Sequence, residues 1–117
     1  MQKVLSLMLL LIGAVVAIAS PQEIARETSP VLLREFKPQY TEEARRAKIE
    51  GIVEMSAVVL EDGTVGDVTV TKSLDQQYGL DDEAVKAMKK WRFKPGTKDG
   101  KPVPVTITVE MSFSLRK

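Results

Sequence analysis

A chain of 117 residues with 17 Lys and Arg against 16 Asp and Glu can bury one modest hydrophobic core and is too short for two. It has neither His nor Cys, which excludes zinc sites built on imidazole or thiolate, Ser-His and Cys-His nucleophiles, and disulfide staples. A formal charge of +1 argues against a nucleic-acid binder, because counterion release needs a clustered excess of cations. Ser-Lys chemistry is the one obvious enzymatic route left, so the expectation is a binding protein that is not an enzyme and needs no cofactor or metal.

Met1 to Lys3 supply a short positive start, Val4 to Ala19 carry no charge, and Ala17-Ile18-Ala19 offers small residues to a signal peptidase. Residues 1–19 therefore read as a signal peptide cleaved between Ala19 and Ser20, with a short membrane anchor as the alternative. Either way the remainder lies outside the cytoplasm. Removing residues 1–19 takes away Lys3 and no acid, which leaves 16 cations against 16 anions. Residues 20–37, with Pro21, Pro30 and scattered charges, are expected to form a short tether, and residues 38–117 the folded domain.

Thr41 to Ile49 has acids first, bases last and apolar Ala44, Ala47 and Ile49, so a short helix stopped by Gly51 is predicted. Ile52 to Leu60 alternates, and so does Val65 to Ser73, with Asp62-Gly63 between them as a hairpin turn. A second helix is predicted from Asp81 to Trp91, capped by Asp81 or Asp82, with Ala84, Val85, Met88 and Trp91 on its apolar stripe. Successive helical residues diverge by about 100°, so Asp81, Asp82 and Glu83 read as caps and dipole partners rather than as a cation site. Trp91 is expected to pin this helix to the sheet, Phe93 to close the core and Arg92 to lie on the surface. Seven cations between Lys86 and Lys101, against Asp99 alone, complement the helix end and offer a field that could steer an acidic partner or a lipid headgroup.

After a turn at Lys98 to Pro102, Val103 to Leu115 alternates throughout, odd positions inward and even positions outward. The order α-β-β-α-β gives an α+β fold, a small antiparallel three-stranded sheet packed by two helices. Pro104 cannot donate to a ladder, so the last strand is expected at an edge. An edge this long and regular is an aggregation hazard unless a partner uses it.

Several segments together resemble the TonB C-terminal domain family. They are Pro38-Gln39-Tyr40 before Glu43-Ala44-Arg45, Ile49-Glu50-Gly51, Glu61-Asp62-Gly63-Thr64-Val65, Leu80-Asp81 before Ala84-Val85, Trp91-Arg92-Phe93-Lys94-Pro95, and Asp99-Gly100-Lys101-Pro102-Val103. The resemblance implies a periplasmic adaptor or energy-transducer component that grips the TonB-box segment of outer-membrane transporters by strand addition. In full transducers it also implies coupling to proton-driven inner-membrane motor proteins. The expected peptide-binding edge is Val105, Thr106, Ile107, Thr108, Val109, Glu110 and Met111, with Gln39, Tyr40 and Arg92 as partner contacts. Thr41 stands where the family usually has Pro, and either residue suits a helix start. Only 18 residues, 20–37, separate the apolar segment from the domain, against the long Pro-rich spacer of a full transducer. The alternative is a free periplasmic interaction module, dimeric by strand exchange, with no transducing role.

Overall fold

The computed structural model describes residues 26–116. The expected signal peptide and its Ala19–Ser20 cleavage lie outside the described residues. The elements run β1 (Val31–Arg34), α1 (Glu42–Arg46), β2 (Gly51–Val59), β3 (Val65–Lys72), α2 (Leu80–Lys90), β4 (Arg92–Lys94), β5 (Thr97–Lys98), β6 (Lys101–Pro102) and β7 (Val105–Phe113). The main sheet is antiparallel in the order β3-β2-β7. The expected α+β class, with a three-stranded antiparallel sheet and two helices, is present, and β7 is an edge as expected.

Period-two alternation in β2 sends Val53, Met55, Ala57 and Val59 inward, and each is fully buried. The amphipathic helix α2 lies on β3 and β2 and covers this face with Leu80, Ala84, Ala87 and Met88. Trp91, Phe93, Met111 and Phe113 complete the same core. The Trp91 indole N–H, taken into this apolar setting, donates to the Phe36 carbonyl at 2.8 Å.

Four local features differ from the sequence reading. The first helix ends at Arg46 rather than Ile49, because Lys48 turns into the left-handed region at φ 58° and breaks the ladder before Gly51 is reached. Its start is as expected, with the Thr41 hydroxyl oxygen accepting from the Ala44 N–H at 3.1 Å and its O–H donating to the Tyr78 carbonyl at 2.7 Å.

At α2 neither Asp81 nor Asp82 is the cap. Gly79 occupies that position at φ 92° with no side-chain bond, and the carboxylate of the preceding Asp75 receives the N–H groups of Gln77, Tyr78 and Leu80 at 2.9–3.1 Å. Asp81 reaches backward and accepts from the Leu74 and Asp75 N–H groups at 3.0 Å and from the Ser73 hydroxyl at 2.5 Å. Burial pushes its pKa up, but these hydrogen bonds outweigh it and hold the group below the ordinary aspartate value.

The third difference is the tether. Its second half contains β1, which pairs antiparallel with β4 through Leu32 opposite Phe93, while Thr28 bridges Thr97. The last is the stretch after α2, expected only as an exit and a turn. It forms β4 and the β5-β6 hairpin, whose Asp99 and Gly100 take φ 53° and 81°, as a two-residue turn between twisted strands requires. The Asp62-Gly63 hairpin joins β2 to β3 as expected. Gly63 is buried at φ 87°, and its carbonyl accepts from the Phe93 N–H at 2.9 Å, so the hairpin tip docks on β4.

Candidate peptide-binding edge

β7 pairs with β2 without a bulge, from Val105 opposite Val59 to Phe113 opposite Gly51. Among the described residues no strand pairs with its other side. Alternate residues of an antiparallel edge strand turn N–H and C=O outward, so β7 presents a row of main-chain donors and acceptors without ladder partners. Val105, Ile107 and Val109 are half-buried, Met111 is buried, and Thr106, Thr108 and Glu110 are exposed on the solvated face. All seven residues of the expected edge thus lie on one uninterrupted strand.

The C-terminal half of β7 borders a groove of about 410 Å³. One wall is Glu110 to Ser114, and the other is the lead-in Glu35 to Pro38 with Tyr40 and Trp91. Tyr40 is fixed there by three contacts. Its ring meets Phe113 edge-on at 5.5 Å, the Arg45 guanidinium lies 5.0 Å from its centre, and its O–H donates to the Ile49 carbonyl. Burial and the charge of Glu50 push the phenol pKa up, against a smaller opposing effect of Arg45. Tyr40 is therefore a neutral wall that can offer an apolar face to an extended segment.

The other two expected contacts are elsewhere. Gln39 lines a separate groove on α2, and the Arg92 side chain folds back to donate to the carbonyls of Lys89, Lys90 and Trp91 at 2.8–3.3 Å. Arg92 thereby closes the end of α2, a helix-end role already favoured by its position after the last turn. Glu35, Phe36 and Lys37 are wall residues that sequence reasoning missed. The available signal was Phe36 among exposed charges just before Pro38-Gln39-Tyr40, an aromatic with no helical or strand period to serve.

The model of the family described as Gram-negative bacterial TonB protein C-terminal matches residues 37–115. The protein TonB of Pseudomonas aeruginosa is 34% identical over 85 residues, which is 73% of this chain and 25% of that protein. The tonB2 protein of the same organism is 35% identical over 78 residues, 67% of this chain and 28% of that protein. The chain thus spans about a quarter of the length of the curated relatives it matches. The solution NMR structure of the Pseudomonas aeruginosa TonB CTD superposes with a TM-score of 0.62 at 32% identity, covering 76% of this chain and 89% of that one. On the family match over residues 37–115 and the likeness in sequence and fold to the TonB proteins, the chain belongs to the TonB C-terminal domain family.

Proposed function

We propose that this protein is a periplasmic TonB-like adaptor that binds the TonB-box segment of outer-membrane transporters by adding it as a fourth strand to β7, from Val105 to Met111. The observation that carries the reading is the open side of β7 beside the groove walled by Tyr40 and Trp91. Main-chain bonds supply affinity that tolerates sequence change, and the groove supplies selectivity at one end. In transport across the outer membrane, coupling to a proton-driven inner-membrane motor would be the energy-transducing part of the role. Residues 1–19 act as the export signal in this reading, and an N-terminus at Ser20 found by mass spectrometry of the exported protein is the expected result.

The edge is tested without altering the protein. A TonB-box peptide is methylated at one backbone nitrogen at a time and titrated against the full chain. An added strand turns every second N–H toward β7, so affinity is expected to fall about tenfold or more at alternate residues and little at those between. A flat response along the peptide overturns the mechanism. The same open edge admits β7 of a second copy, the strand-exchanged dimer. In that case self-association measured by sedimentation and peptide binding would compete.

A further inference from the structure

A second groove, of about 680 Å³, lies between α2 and the lead-in on the other side of Phe36. Its lining includes Phe36, Lys37, Lys86, Lys89 and Lys90, with Glu83 as its acid. Lys86 is held by Glu83 at 3.3 Å, whereas Lys37, Lys89 and Lys90 make no ion pair among the described residues. The C-terminal end of α2 attracts cations but needs only its last turn for that, and Arg92 already donates to two of its carbonyls and to that of Trp91 just beyond. Lys37 belongs to a different element altogether, so the macrodipole does not account for its place in this wall.

Phe36 and Lys37 line both this groove and the one beside β7. A polypeptide paired with β7 can therefore pass over the lead-in at its Phe113 end and enter the basic groove. We infer that the groove between α2 and Phe36-Lys37 is a charge-selecting subsite for an acidic stretch adjoining the β7-paired segment of the same bound polypeptide. The inference rests on the edge-pairing reading and adds to it a chemical requirement on the partner's flanking residues.

Two features favour a peptide over an anionic lipid surface. The lysines line a concavity that the Phe36 ring also lines, whereas a bilayer engages flat or convex faces. The residues after Ala19 also sum to zero charge, so the attraction is local rather than a property of the whole domain.

The test titrates the full chain, in micelles of a neutral detergent, with a TonB-box peptide in five forms. One is unextended, and the others carry four Glu or four Gln at the N-terminus or at the C-terminus. Since one terminus alone lies beside Phe113, the Glu extension is expected to bind about tenfold tighter than its Gln control at that terminus and not at the other. The gain should shrink as salt is raised. In the double variant Lys89→Gln, Lys90→Gln, whose positions lie outside the β7 groove, the gain should fall to less than about twofold while the unextended peptide binds as before.

Equal gains at both termini, no gain at either, or a gain that survives in the double variant overturns the inference. So does loss of discrimination together with tighter binding of the parent than of the double variant to phosphatidylglycerol vesicles, which would assign the groove to a membrane. If the unextended peptide does not bind, the edge reading fails by itself. The groove is then probed with the tetraglutamate peptide alone, and unshifted amide resonances at Lys86, Lys89 and Lys90 overturn the subsite as well.

Discussion

Gly63 makes the sharpest demand of any single residue. A Cβ there would sit 2.1 Å from the Phe93 carbonyl oxygen, and φ 87° is already unfavourable for any other residue. Gly63→Ala is expected to cost at least about 2 kcal/mol, read as a lower denaturation midpoint. Gly100→Ala is the control, since φ 81° is equally left-handed there but the space is open, and it should cost about 1 kcal/mol. Asp81 provides a pH-dependent counterpart. Its native pKa lies below the unfolded one, so its contribution is complete above the unfolded value and is lost as the pH falls through the native value. The melting temperature of Asp81→Asn should therefore depend less on pH across the acid limb than that of the parent. Trp91→Ala removes a buried ring and a hydrogen bond to the lead-in, and a loss of about 3–5 kcal/mol is expected in chemical denaturation.

At the scale of elements, what was legible follows from what each element depends on. β2, β3 and β7 were readable because half-buried strands in an antiparallel sheet must alternate, and their sequences do so apart from one shift of parity at Gly66-Asp67 in β3, where the register with β2 is irregular. The Asp62-Gly63 turn was readable because few residue pairs tolerate its backbone. By contrast β1 has all four residues exposed, with Leu33 at 67%, so no burial pattern could announce it. It exists because β4 offers it a partner far along the chain, Phe93 opposite Leu32, which is tertiary information. The α2 cap was misread for a related reason, since Asp75 reaches the helix start across an irregular loop rather than from the cap position itself. Truncation before Phe36 should leave the main sheet folded but lower the melting temperature by several degrees, with faster amide exchange at Arg92 to Lys94.

For the molecule as a whole, the sheet surface and its edge were visible in the sequence, whereas most of the wall beside that edge was not. Tyr40 stood in a recognisable segment, but Phe36 and Lys37 acquire meaning only when the lead-in is laid between α2 and β7. Glu54 and Glu110 lie directly opposite one another across β2 and β7, and only the Glu54 carboxylate receives a bond, from the Thr71 hydroxyl at 2.9 Å. Like charges so placed repel. Glu110→Gln is accordingly expected to raise the melting temperature by a degree or two at low salt, and less at high salt.

The pairing of β1 with β4 has a mechanical meaning. A pull applied to the chain before Arg26, with the load attached along β7, reaches the Thr28–Thr97 bridge and the exposed Arg26–Asp99 ion pair first, then the short β1–β4 ladder, and only afterwards the main sheet. The β1–β4 ladder is therefore the fuse of the molecule, giving way under tension while the long β2–β7 register still holds. The lead-in that follows β1 stays docked when that ladder opens, because the Phe36 carbonyl still accepts from the Trp91 indole and Tyr40 still packs on Phe113. Tension would thus be relieved at the shorter ladder while both groove walls keep their places.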